Sequence, residues 1–283
     1  MSASAVRPPA VAGQFYPSDP VELTQLLERC FVERRGPGER PPPRRSAERH
    51  IRAVIVPHAG WVYSGAIAAH AYAALAADRP ATSVLLLGVN HRGRGAPAAL
   101  SSRDWASPIG AIPTDRDLLT ALTRSPLEVD DAAHATEHSL EVQMPWLDYV
   151  LPHPRMVALS VSYGSLAFLT DVGAAVRKGI RGRDVLLLAS TDFSHYVPAE
   201  EAQRKDRLAL AAIRTRRPEE LYETVRAHEI SMCGVAPTTV LLGALEAESL
   251  EVRELRWGHS GEVEPMPDVV GYASLLLEST TPL

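Results

Sequence analysis

Three apolar runs that each end in metal-capable side chains constrain this chain most. Ile51–Gly65 reads IRAVIVPHAGWVYSG, Ser83–Gly93 reads SVLLLGVNHRG, and Val185–Tyr196 reads VLLLASTDFSHY. Short aliphatic runs without alternation, each bounded by turn residues, are the pattern of strands buried on both faces of a parallel sheet. In the first run Pro57 ends the ladder and Gly60 permits a tight turn. Open α/β sheets carry their sites beyond the carboxyl ends of such strands. His58 and His91 occupy equivalent strand ends, so they are expected to share one metal site, with Asp192 or His195 nearby.

The rest of the chain supplies the partners such strands need. Asp19 caps a helix carrying Leu23, Leu26, Leu27 and Cys30 on one face. Ser64–Ala77 is an alanine-rich helix, and Asp115 opens another with Leu118, Leu119 and Leu122. Glu137–Leu151 has helical spacing, with Pro145 kinking it or starting a second helix. Met156–Ser162 is a further buried strand, followed by a helix at Leu166–Ile180. Helices are expected at Pro198–Arg216, Pro218–His228 and Val235–Glu248, then strands at Leu250–Trp257 and Val269–Leu277, the first antiparallel or at an edge. Strand–helix alternation predicts a single α/β domain over residues 1–283, with a mostly parallel central sheet flanked by helices. Arg34–Arg49, RRGPGERPPPRRSAER, reads as an exposed loop insertion.

Composition excludes several classes. With 283 residues, 46% of them apolar, the chain can bury a sizeable core. A net charge of −5 argues against a nucleic-acid binder. No apolar run approaches the ~18 residues of a membrane span, and the N-terminus lacks the apolar stretch of a signal peptide. Two distant cysteines do not make a disulfide framework, which fits a reducing cytoplasm. A GxSxG elbow, a Walker loop and a post-strand GxGxxG are all missing.

Other groups could join the two histidines. Cys233 precedes the apolar helix near Val235, where a helix start favours thiolate and hence a ligand or nucleophile; the alternative is an inert buried thiol. Asp192 and His195 offer a carboxylate that could ligate or orient an imidazole, and a general acid–base; alternatively they brace a loop. His138 and Glu141 sit three apart like a ligand pair, but the surrounding sequence is not HExxH, and His138 fits better as a pocket wall.

In order along the chain, VAGQFYPSD, PHAGWVYSG, GVNHRG, EHSLEVQMPWL, STDFSHY and MCG resemble the Memo family, whose bacterial and archaeal members are called AmmeMemoRadiSam system protein B. The resemblance runs from about Val6 to Leu277. It implies a fold similar to the class III (LigB-type) extradiol dioxygenases, which hold non-haem Fe(II) in an α/β crevice. It also implies His58, His91 and Cys233 as metal-binding positions, with His195 where those dioxygenases keep their catalytic base and Asp192 beside it. His138, Trp61 and Asn90 are expected in the pocket. Cys233 departs from the two-histidine, one-carboxylate set of the dioxygenases. A softer, oxidisable thiolate suits one transition ion, Fe(II) or copper before zinc, and argues against ring-cleaving oxygen chemistry. The implied role is a redox-linked metal-binding protein acting with radical SAM and AMMECR-type partners. Its rivals are an extradiol-type dioxygenase, a non-catalytic module binding a peptide or partner in the inherited crevice, and a metal hydrolase.

Overall fold

The computed structural model describes residues 6–41 and 46–283. In chain order the elements are β1 (Val6–Arg7), α1 (Pro20–Val32), β2 (Ile51–Val56), α2 (Trp61–Ala77), β3 (Ser83–Val89), β4 (Ala98–Leu100), β5 (Asp104–Ser107) and β6 (Gly110–Ile112). There follow α3 (Arg116–Leu122), β7 (Glu128–Val129), α4 (His138–Glu141), α5 (Met144–Val150), β8 (Met156–Val161), α6 (Leu166–Ile180), β9 (Val185–Ser190) and β10 (His195–Val197). The chain closes with α7 (Ala199–Arg214), α8 (Pro218–Ala227), α9 (Val235–Leu245), β11 (Glu251–His259) and β12 (Val269–Glu278).

The large sheet runs β10-β12-β2-β9-β3-β8-β4-β7, with β11 also paired to β12. Its centre, β2, β9, β3 and β8, is parallel. The parallel centre and the flanking helices are those expected; at the flanks β12 joins β2, and β4 joins β8, in antiparallel fashion, so the sheet as a whole is mixed. Every residue of the four central strands is buried. Alternate side chains enter opposite layers, as the period of two requires. Ala53, Ile55, Leu85, Leu87 and Leu187 face a core shared with α3, α6, α8 and α9. Val54, Val56, Leu86 and Leu188 face one shared with α1, α2 and α5.

Local signals account for most boundaries. Asp19 accepts from the N–H groups of Val21 and Glu22, capping α1. Pro145 sits in the first turn of α5, so the Glu137–Leu151 segment is two helices rather than one. α2 starts three residues before the expected Ser64, because Trp61 N–H is held by Phe15 O at 2.8 Å in the N-terminal strap. A small sheet, β1-β5-β6, lies outside the sequence expectations.

The proline- and arginine-rich stretch is not simply a solvated loop. Arg35 donates to Tyr63 O at 3.0 Å, and Arg49 is buried, paired with Asp184 and bonded to Ile51 O and Val185 O. Its middle, residues 42–45, lies outside the described residues.

Candidate metal centre

His58 leaves β2 with its main chain held by Asp192, whose Oδ1 accepts from the N–H of His58 at 2.8 Å and of Ala59 at 3.3 Å. Its ring is buried, with Nδ1 3.0 Å from Ser190 Oγ. A count of protons fixes the tautomer. The Ser190 hydroxyl donates to Ser139 O at 2.6 Å. Gln143 Nε2 donates to Ser190 Oγ at 2.8 Å and to Pro57 O at 2.9 Å, while Tyr72 donates to Gln143 Oε1 at 2.7 Å. Ser190 Oγ, its own proton spent, must accept from His58 Nδ1–H. The lone pair of His58 is therefore on Nε2, which lies 3.2 Å from Cys233 Sγ.

His91 is held the same way by a different group. Glu137 Oε1 lies 2.9 Å from His91 Nδ1, and Oε2 accepts the His91 backbone N–H at 2.9 Å. Glu137 is buried as the cap of α4. Burial opposes its ionisation, but the hydrogen bond and charge of His91, the Ser139 N–H and the charge of His138 outweigh it and pull the carboxyl down to about 2. Gly88 makes this approach possible: a Cβ there would sit 2.7 Å from Ser139 Oγ and from the Leu140 side chain, lifting α4 off β3. His195 Nδ1 lies 2.7 Å from Phe193 O and 2.8 Å from Ser231 O, both acceptors only. All three imidazoles are thus anchored through Nδ1–H, which leaves Nε2 as the atom free to coordinate.

Cys233 lies just before α9 and accepts the Asp192 N–H at 3.3 Å. The expected thiolate is not favoured by the protein alone: burial first, then the Asp192 charge, push the thiol up, against the N–H groups of Asp192 and Gly234. Burial also raises Asp192, to about 6. A bound cation reverses this balance and deprotonates a coordinating thiol.

The donor atoms of His58, His91 and Cys233 lie within 4.8 Å of one another, and so do those of Asp192, His195 and Cys233. Around a tetrahedral ion, histidine and cysteine donors stand about 3.5 Å apart. Two imidazoles tied down at Nδ1, one of them by a buried carboxylate, suit an N/S-binding transition ion. These residues could hold a metal.

The other expected positions fall around this crevice in different ways. The His138 ring stacks on His91 at 4.6 Å, crosses His58 at 5.4 Å and packs on Phe15 at 4.6 Å. Burial holds it at about 4 despite Glu137. Asn90 bonds Arg94 through both ends of its amide and shapes the loop after β3. Trp61 is buried in the core, its ring 5.5 Å from Tyr16 and 4.8 Å from Trp146. Glu141 turns away from His138 to Arg7, Tyr16 and the N–H groups of Ala10 and Val11, so the pair spaced three apart does not ligate together. Sequence reasoning missed Glu137, Ser190 and Gln143 as anchors; the one signal was an acidic residue capping the short helix that carries His138.

Fold and site together define an α/β protein whose crevice gathers two histidines and a cysteine able to hold a metal. Residues 7–276 match the family model described as Memo-like protein, and the chain belongs to the Memo family. It is 39% identical over 278 residues to the MEMO1 family protein MK0963 of Methanopyrus kandleri, covering 95% of this chain and 98% of that one. It is 36% identical over 282 residues to the MEMO1 family protein MTH_45 of Methanothermobacter thermautotrophicus, covering 95% and 99%. The uncharacterized protein JW3007 from Escherichia coli K12 shares the fold, with a TM-score of 0.54 at 15% identity over 80% of this chain and 99% of that one. Among the described residues no helix is long and apolar enough to cross a membrane.

Proposed function

We propose that this protein binds one transition metal ion, Fe(II) or copper in preference to zinc, through His58, His91 and Cys233, and acts as a redox-linked protein. One observation carries the reading: the Nδ1 atoms of His58 and His91 are tied down by Ser190 and Glu137, while the remaining donor atoms converge with Cys233 Sγ. Bound there, the ion would supply a Lewis-acid or one-electron centre. The protein's own part is to orient the imidazoles, wall the crevice with His138 and Phe15, and hold the His195 ring through Nδ1 so that Nε2 is the atom left to handle a proton. The motif resemblance supports cytoplasmic partners of the radical SAM and AMMECR types. Metal analysis of untagged protein purified anaerobically tests the site: wild type carries about one ion per chain, and His58→Ala and Cys233→Ser lose it. Retention by either variant refutes it.

A second reading, an extradiol-type dioxygenase, is favoured by His195, whose anchored ring gathers with Asp192 and Cys233. Oxygen uptake by Fe(II)-loaded protein across a panel of catechols decides it; no uptake rejects this reading and leaves metal binding standing.

A further inference from the structure

The opposite end of the parallel sheet carries a second concave feature with different chemistry. The metal-capable residues follow the carboxyl ends of β2, β3 and β9; Arg49, Arg79 and Arg183 precede the amino ends of those strands. Two cavities adjoin there, of about 400 and 570 Å³, and share Arg52, Gly182, Arg183 and Glu248. The first adds Arg49 and Arg79, the second Arg177, Lys178 and Arg181. Together seven cationic side chains meet only two carboxylate side chains, Asp184 and Glu248. The chain as a whole is acidic, at −5, so this concentration of positive charge is local and runs against the average.

The cations form two tiers. Arg49 and Arg52 are 3% and 8% exposed and make a fixed floor. Arg49 pairs with Asp184 and donates to Ile51 O and Val185 O; Arg52 grips Glu248 at 2.8 Å and also donates to Val185 O. Asp184 is further shared with Arg79 at 3.3 Å and Thr82 at 3.2 Å, so its acceptor capacity is spent. Arg177 is paired with Glu246 beside the cavity. Lys178, Arg181 and Arg183 are exposed and make no ion pair among the described residues. The floor arginines are matched by Asp184 and Glu248, whereas the three basic walls have no counter-charge of their own, so the rim keeps a local excess of positive charge that attracts an anion.

We propose that this groove is a binding site for a small ligand bearing two phosphate groups, one in each cavity. The volumes are those of small-molecule sites, and arginine forks match phosphate oxygens in geometry. No aromatic side chain lines either cavity among the described residues, which leaves a single-stranded nucleic acid without the stacking it needs.

The test is calorimetric titration of the full chain with fructose 1,6-bisphosphate, alongside inorganic phosphate at the same ionic strength. The site predicts saturable binding of the bisphosphate, tighter than phosphate by at least about tenfold. Arg181→Ala with Arg183→Ala, both exposed, weakens it at least about tenfold, and Lys178→Glu weakens it independently. Melting temperature without ligand and metal content stay at wild-type values in these variants. No saturable binding by wild type, equal affinity for the two probes, or undiminished binding by the double variant overturns the proposal. Metal loss on adding the bisphosphate also overturns it, by placing the probe at the other end of the sheet.

Discussion

Glu137 grips His91 twice: Oε1 lies 2.9 Å from Nδ1, and Oε2 accepts the backbone N–H at 2.9 Å. One buried carboxylate thus fixes both the ring and the main chain of a candidate ligand. Glu137→Gln keeps the shape but replaces the charged acceptor with an amide. Removing such an outer partner weakens metal binding by about ten- to a hundredfold. Competition against a chelator of known strength measures this, and an unchanged affinity would show that Glu137 does not set the ligand.

The same residue predicts an acid transition. Glu137 is drawn from its ordinary 4.5 down to about 2. A carboxyl depressed in the folded state stabilises above its unfolded value, and that stabilisation is lost as pH falls through the folded one. The window therefore runs from about 4.5 to about 2, with a total of order 3 kcal/mol. Denaturant unfolding of metal-free protein across that range should show a steeper loss in wild type than in Glu137→Gln. Parallel curves would place the acid sensitivity elsewhere.

Ser190 supports His58 at a junction of three hydrogen bonds. Ser190→Ala leaves His58 Nδ1–H without its acceptor, removes one of two acceptors from Gln143 Nε2, and deprives Ser139 O of its donor. An unsatisfied buried group costs about 1–3 kcal/mol. The expected variant melts lower and binds metal more weakly, because the His58 ring is free to turn. Lower melting with intact metal affinity would mean that Cys233 and His91 alone hold the ring in place.

The sequence showed the strands because their physics is local. Val84–Val89 and Val185–Ala189 are aliphatic enough to need covering on both faces, and their ends had to carry polar groups. His58, His91, Cys233 and His195 could be read from those ends and from motif order. Glu137, Ser190 and Gln143 could not, since each acts across 46 or more residues of chain, and a buried glutamate looks like a helix cap until its partner is placed. The antiparallel flanks were hidden for the same reason: pairing direction depends on where β12 and β4 return to the sheet. The helix start before Val235 left Cys233 as either a thiolate or a buried, inert thiol, and motif order placed it in the metal set; burial, which the sequence does not show, pushes the thiol up when no cation is bound.

Arg7 is the clearest case of a residue with no sequence signature. Its guanidinium pairs with Glu141 at 2.7 Å, both nearly inaccessible, and lies 4.1 Å from the centre of the Trp105 ring. It also donates to Glu137 O at 2.9 Å and His134 O at 2.8 Å, so the N-terminal strap is bolted to the segment that carries Glu137 and His138. Arg7→Met strands the Glu141 charge in the interior, at a cost of about 3–5 kcal/mol. For a chain of this size that lowers the melting temperature by several degrees, at about 2–4 °C per kcal/mol. Because the carbonyl of Glu137 loses its donor, metal affinity should fall in the same variant. Arg7→Lys restores the charge but not the fork, and should recover part of both losses. A destabilised Arg7→Met protein that binds metal as tightly as wild type would uncouple the strap from the crevice, and would leave Glu137 held by His91 and the start of α4.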